Sequence, residues 1–317
     1  MLKPFSIFVV SASLLAAVHS ASAVQLSTNT RTLIPHSVQQ VIVVDYRAMQ
    51  NSQVAIDLKA NVLPSELKGF DELLSKSKIN ENHDVDLLAF ARFRTSDASD
   101  KLLTVGVVQG RFSLQEIQTN FRKQKLKPTV LRTNNLYPMN RTGMMACFVD
   151  PSTLVFGSIE AVTKALEARD GQTPNLLTNA TMMDAMRTVD SAPLWSVLDQ
   201  KGTQAMVKQI LGEAGYISYF DSVRKRLVAS WYTMNFQYGV KFDLTLSTGD
   251  SFTAMTLSSL LNAAMMVRKI SSGEFGKQVL NATEIKSNSG KLTIHCSTSN
   301  SAFSILSQLP HFQSMVR

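Results

Sequence analysis

The sequence predicts an α+β protein built of two similar modules, each an antiparallel sheet with helices packed on one face. Three observations lead there. Short apolar runs that alternate or are continuously hydrophobic are separated by segments of helical period. The order of these segments is the same in both halves, β-α-β-β-α-β-β-α. The spacing also agrees: from Leu102 to Ser158 is 56 residues, and from Val240 to Ser299 is 59. At 317 residues, 44% hydrophobic and 18% charged, the chain can bury two cores and is too apolar for a disordered segment.

In the first half, Val38 to Val44 reads as a buried strand, with Asp45 at the start of a helix through Met49, Ala55 and Leu58. A second helix opens at Pro64, where a missing N–H costs nothing, and carries Leu67, Phe70 and Leu74. Val85 to Phe93 and Leu102 to Gln109 form a hairpin. Ser113 and Glu116 match a capping box for a helix bearing Leu114, Ile117 and Phe121. Strands at Met144 to Val149 and Thr153 to Phe156 flank the turn Asp150-Pro151-Ser152, and Ser158 caps a helix that Gly171 stops.

A linker near Gly171 to Asn175 and a helix at Met182 to Val189 lead into the second half. There, Leu194 to Leu198 is a strand ending at Asp199, and a helix follows with Met206, Ile210 and Leu211 inward. Leu227 to Phe236 and Val240 to Leu246 form a hairpin about Gly239. Asp250 caps a long helix with Leu257, Leu260, Leu261, Ala264 and Val267 on its inner face. Strands Thr283 to Lys286 and Lys291 to Cys296 precede a last helix, opened by Ser299 and ended by Pro310.

The domain reading is therefore a signal peptide at 1–23, a first module at 24–170, a linker and bridging helix at 171–191, and a second module at 192–317. The leader has one cation, Lys3, then an apolar run from Phe5 to Val18, about 14 residues and short of the roughly 18 a spanning helix needs. Ala21-Ser22-Ala23 fits a leader peptidase site, so the mature chain is expected to begin at Val24, outside the cytoplasm, in the periplasm or beyond. No later segment predicts a membrane span.

The stretches PLWSVLDQKGTQ (193 to 204) and STLVFGSIEAVTKAL (152 to 166), with the two-module layout, resemble uncharacterised exported bacterial proteins built of tandem α+β modules. The resemblance extends over nearly the whole mature chain. It implies the fold, export and a bacterial source, and brings no activity or site residue with it.

Removing Lys3 takes the formal charge from +8 to +7. Arg122, Lys123, Lys125 and Lys127 form one basic cluster, and Arg224, Lys225 and Arg226 another. The first lies where a helix ends, which cations favour, and is also the candidate contact for an anionic surface. No aromatic residues interleave with these charges, so nucleic acid is not expected as a partner. Cys147 and Cys296 allow either a disulfide or two small core residues.

The sequence offers little for catalysis. His36, His83, His295 and His311 lack zinc-site spacing, and no phosphate-binding or nucleophile-elbow motif occurs. Asp84 and Asp86, alternating at a strand start, are the only metal candidates, and two carboxylates fall short of a calcium shell. Asp45 and Asp199 occupy equivalent strand ends and read as helix caps. Met182, Met183, Met186 and the pairs Met144-Met145 and Met265-Met266 read as core filling rather than a copper site. No cofactor is expected. The functional expectation is a non-catalytic binding or scaffold protein of the bacterial envelope. The alternatives are a carrier of an apolar or lipid-like ligand in a pocket between helices and sheet, and an enzyme of unrecognised class.

Overall fold

The computed structural model describes residues 24–49, 52–62, 67–95, 101–139, 143–211, 218–271 and 274–307. The leader, the predicted cleavage site, Pro64, Pro310 and His311 lie outside them. The strands are β1 (Val38–Asp45), β2 (Val85–Arg94), β3 (Leu102–Gly110), β4 (Thr129–Leu131), β5 (Asn134–Pro138), β6 (Met144–Asp150), β7 (Thr153–Ser158), β8 (Leu194–Leu198), β9 (Leu227–Asn235), β10 (Val240–Thr248), β11 (Thr283–Asn288) and β12 (Lys291–Thr298). The helices are α1 (Thr28–Thr32), α2 (Tyr46–Met49), α3 (Gln53–Val62), α4 (Leu67–Ser77), α5 (Glu81–Asp84), α6 (Leu114–Lys123), α7 (Ile159–Arg169), α8 (Ala180–Arg187), α9 (Gln200–Leu211), α10 (Ser218–Arg224), α11 (Ser251–Ser271), α12 (Glu274–Asn281) and α13 (Asn300–Ser307).

The α+β class is the one the sequence indicates, but the arrangement differs in two respects. The strands form one sheet of order β11-β12-β10-β9-β8-β1-β2-β3-β7-β6-β5-β4, not one sheet per half. Outward from the seam, the pairing order is β1-β2-β3-β7-β6 on one side and β8-β9-β10-β12-β11 on the other. The first half adds the hairpin β4–β5 at its edge. At the seam β1 runs antiparallel to β8, with Ile42 opposite Ser196 and Val44 opposite Leu194. The sequence had not joined the halves, because that register depends on residues about 150 apart and no local pattern encodes it.

The second difference is that helices lie on both faces of the sheet, over the first half and across the seam to β8 and β9. One core packs α3, α4 and α6, and farther along α9, α11 and α13, against one face of the sheet. A second core lies on the opposite face, where α7 brings Ala161, Val162, Ala165 and Leu166 onto β3, β6 and β7, and α8 brings Met182, Ala185 and Met186 onto β8 and β9. Strands buried on both sides need apolar residues at successive positions, and β1 and β2 supply Val41 to Val44 and Leu87 to Ala91. The first core is tightest around Phe156, whose ring stacks on Phe70 at 5.2 Å and meets Phe90 edge-on at 6.0 Å. It lies flat over Gly106, where a β-carbon would come within 2.1 Å of the ring. Only glycine leaves that space.

Two local expectations are corrected. Ser113 precedes α6, but its side chain makes no capping hydrogen bond. Val267 does not join the inner face of α11 and is 66% exposed. Ser158 does cap α7, its hydroxyl accepting the Ala161 amide.

Candidate functional site: an exposed apolar face on α11

The 17 residues from Ser251 to Val267 contain no charged side chain. The hydroxyl and carboxylate groups at the helix start are consumed by capping: Asp250 accepts the Thr253 amide at 2.7 Å and the Thr253 hydroxyl at 2.8 Å. These bonds and Arg226 beside it hold the Asp250 carboxyl below its ordinary range. Ala254, Leu257 and Leu261 then turn inward, fully buried.

The opposite side of α11 carries a second apolar stripe. Phe252, Met255, Ser259, Ala263, Met266 and Ile270 recur at three- and four-residue intervals, which places them on one face. Their span is about 27 Å at the helical rise. Phe252, Met255, Met266 and Ile270 are 60, 57, 67 and 85% exposed, with Val267 alongside. The Ser259 hydroxyl donates back to the Met255 carbonyl, so the one polar group on the stripe is bonded to its own helix backbone. The result is two bulky apolar ends around a shallow saddle at Ser259 and Ala263. A helix apolar on opposite sides is expected to be covered on both. Large apolar side chains exposed together on one helix face mark interaction sites. Met266, read from the sequence as core filling, belongs to this face, whereas Met182 and Met186 are buried core residues. In the sequence the stripe shows as Phe252-x2-Met255 and Met266-x3-Ile270, overshadowed by the inner face of Leu257, Leu260 and Leu261.

The two predicted metal candidates are not brought together. Asp84 ends the turn α5 and accepts the Asn80 amide at 2.8 Å, with His83 Nδ1 at 2.7 Å from its other oxygen. Asp86 pairs with Arg47. No group of three or more His, Cys, Asp or Glu that could hold a metal occurs among the described residues.

Cys147 and Cys296 are both unpaired and buried. Seven strands separate β6 from β12, on the order of 35–40 Å at the usual strand spacing and far beyond disulfide reach. Burial pushes the Cys147 thiol up to about 11, which makes it a poor nucleophile. Asp45 and Asp199 both cap: Asp45 Oδ1 accepts the Ala48 amide at 2.9 Å and Asp199 Oδ1 the Gly202 amide at 2.7 Å. Burial raises Asp199, and the Gly202 amide and Arg94 partly offset it.

The basic residues Arg122, Lys123, Lys125 and Lys127 stand exposed at the end of α6. Lys125 takes a left-handed conformation with φ 58°, and its amide and that of Leu126 close the last turn on the Arg122 and Phe121 carbonyls. Beside that helix, Ile117, Asn134, Asn135, Tyr137 and Phe148 line a cavity of about 160 Å³, smaller than the roughly 300 Å³ at which ligand pockets begin. No helix among the described residues is long and apolar enough to cross a membrane.

No family model matches the chain and no curated protein does. Among solved structures it is similar to TP0453. Crystal form I of that protein aligns over 93% of this chain and 98% of its own, with a TM-score of 0.50 and 12% identity. Crystal form III aligns at a TM-score of 0.47 and 10% identity, over 88% of this chain and 98% of that one. At such identity the likeness to crystal form I speaks for the fold alone.

Proposed function

We propose that this chain is an exported, non-catalytic binding protein of the bacterial envelope, and that it engages its partner through the outer face of α11. The observation that carries the reading is the stripe Phe252, Met255, Met266 and Ile270, exposed on a helix whose other side already fills the core. Each large side chain fully removed from water by a partner contributes up to roughly 1.5–3 kcal/mol, so these residues are the anchors of the interface rather than its whole. The leader-like residues 1–23 and the resemblance to exported bacterial proteins support the compartment. The buried thiols and the two capping carboxylates are occupied structurally.

A photo-crosslinking side chain placed at Met266 in exporting cells tests this. It is expected to give an adduct with an envelope component. The yield should fall at least fivefold when Ile270→Glu is added on the same face, with the melting temperature unchanged. The same crosslinker at Thr293, on the polar side of the sheet, should give none. No adduct at 266, or equal adducts at 266 and 293, rejects α11 as the binding face.

A further inference from the structure

The second oxygen of each capping aspartate has a partner of its own. Asp199 Oδ2 faces the Arg94 guanidinium at 3.5 Å. Asp45 Oδ2 accepts from the backbone nitrogen of Val24 at 2.9 Å. Asp45 is only 3% exposed, and among the described residues no side-chain cation pairs with it. A carboxylate held out of water without a counter-charge is costly. In one half of the molecule the corresponding oxygen has a cation, and in the other it has the nitrogen of the residue that follows Ala21-Ser22-Ala23.

The residues after Val24 are fixed independently of this contact. Leu26 is buried in the second core. The Ser27 amide donates to Gln109 Oε1 at 2.6 Å, and Gln109 Nε2 donates to the Gln25 carbonyl at 3.2 Å. Ser27 then caps α1, and Leu33 and Ile34 are buried after it. The Val24 nitrogen is thereby held at the carboxylate by a clamped segment rather than by a free end.

We propose that leader removal completes this site: the α-ammonium released at Val24 forms an ion pair with Asp45, and this pair locks the N-terminal segment onto the sheet in the mature chain. The step is a hydrolysis. Water adds across the Ala23–Val24 peptide bond, the new carboxylate leaves with the leader, and the Val24 amine takes up a proton. A neutral amide donating one hydrogen bond becomes a cation donating a charge-assisted one, the stronger kind. The proposal rests on the reading of the chain as exported and cut before Val24.

Two proteins released from a cleavable fusion test the lock, one beginning at Val24 and one retaining Ala21-Ser22-Ala23. The Val24 form is expected to melt about 2–6 °C higher. That advantage should vanish in Asp45→Asn and persist in Asp199→Asn. Acetylating the Val24 amine should also abolish it at unchanged chain length, which covers the case in which Asp45→Asn does not fold. Equal melting of the two forms, or an advantage that survives acetylation, overturns the lock. N-terminal sequencing of the protein from exporting cells separates the two layers. A start other than Val24 overturns the processing reading and this proposal with it, whereas a start at Val24 with equal melting overturns the lock alone.

Discussion

The two halves of the sheet share a pairing order and differ in what covers them. In the first half β3 and β7 are enclosed, with α3, α4 and α6 on one face and α7 on the other, and α8 carries that cover across the seam only as far as β8 and β9. In the second half β10 and β12 bury Leu244, Leu246 and Leu292 on the helix side, and show Lys241, Asp243, Lys291, Thr293 and His295 on the other. That polar face is organised across strands: His295 Nδ1 lies 2.6 Å from Asp243, and Lys291 stands 5.6 Å over the Trp231 ring. The difference shows what alternation reports. A strand that alternates has one wet face, and a strand that is apolar throughout has none.

The comparison predicts unequal mutational costs at matched positions. Phe156 on β7 and Ile294 on β12 face the same core from equivalent strands. Phe156→Ala should cost about 3–5 kcal/mol, because it empties the stack with Phe70 and Phe90 above a glycine that cannot fill the gap. Ile294→Ala, only partly buried, should cost about 1–2 kcal/mol. Chemical denaturation of both variants checks the ratio, and equal losses would break the argument that the first half is the more tightly enclosed.

One residue earlier on each strand, the opposite face is sampled. Val155 is fully buried there, and Thr293 is exposed. Val155→Thr should destabilise by about 1–3 kcal/mol through a hydroxyl without a partner, and Thr293→Val should stay within about 0.5 kcal/mol of wild type.

The smallest effect is one of pH. The fold raises the Asp199 pKa, so it favours the neutral acid. The contribution of Asp199 to stability is then fully present below the ordinary carboxylate range and is lost as pH rises from about 3.9 through the higher folded value. Asp199→Asn lacks that loss, so its melting temperature relative to wild type should increase between about pH 3.5 and 6.5. Asp250, whose pKa is lowered by its cap bonds, should give the opposite trend in Asp250→Asn. A trend of the same sign in both would show that Arg94 outweighs burial at Asp199.

Much of this was legible from local pattern. The strands from Val38 to Cys296, the hairpins at Asp150-Pro151-Ser152 and Gly239, and the capping roles of Asp45, Ser158 and Asp199 all follow from period and cap chemistry. What escaped was non-local or unpatterned. The β4–β5 hairpin is short and mixed in polarity, the segment from Val24 to Ile34 has no period, and the seam pairs residues from different halves. The candidate site was written in the sequence as Phe252, Met255, Met266 and Ile270. It was hidden by the inner stripe on the opposite side, since a helix apolar on both sides has a weaker single-face signature than one apolar on one.

The seam also sets a timetable. Gln40 and Ser196, which meet across it, are 156 residues apart in the chain. At a synthesis rate of about 5–20 residues per second, β1 is made roughly 8–30 s before β8. During that interval the first half can close on β2, but the other side of β1 remains a row of unpaired amides and carbonyls flanked by Val41, Ile42, Val43 and Val44. An unprotected apolar edge of this kind is where strands of other copies add. Its solubility while incomplete therefore depends on how the nascent chain is handled, and mutations that slow the arrival of β8 should lower yield before they lower the stability of the finished protein.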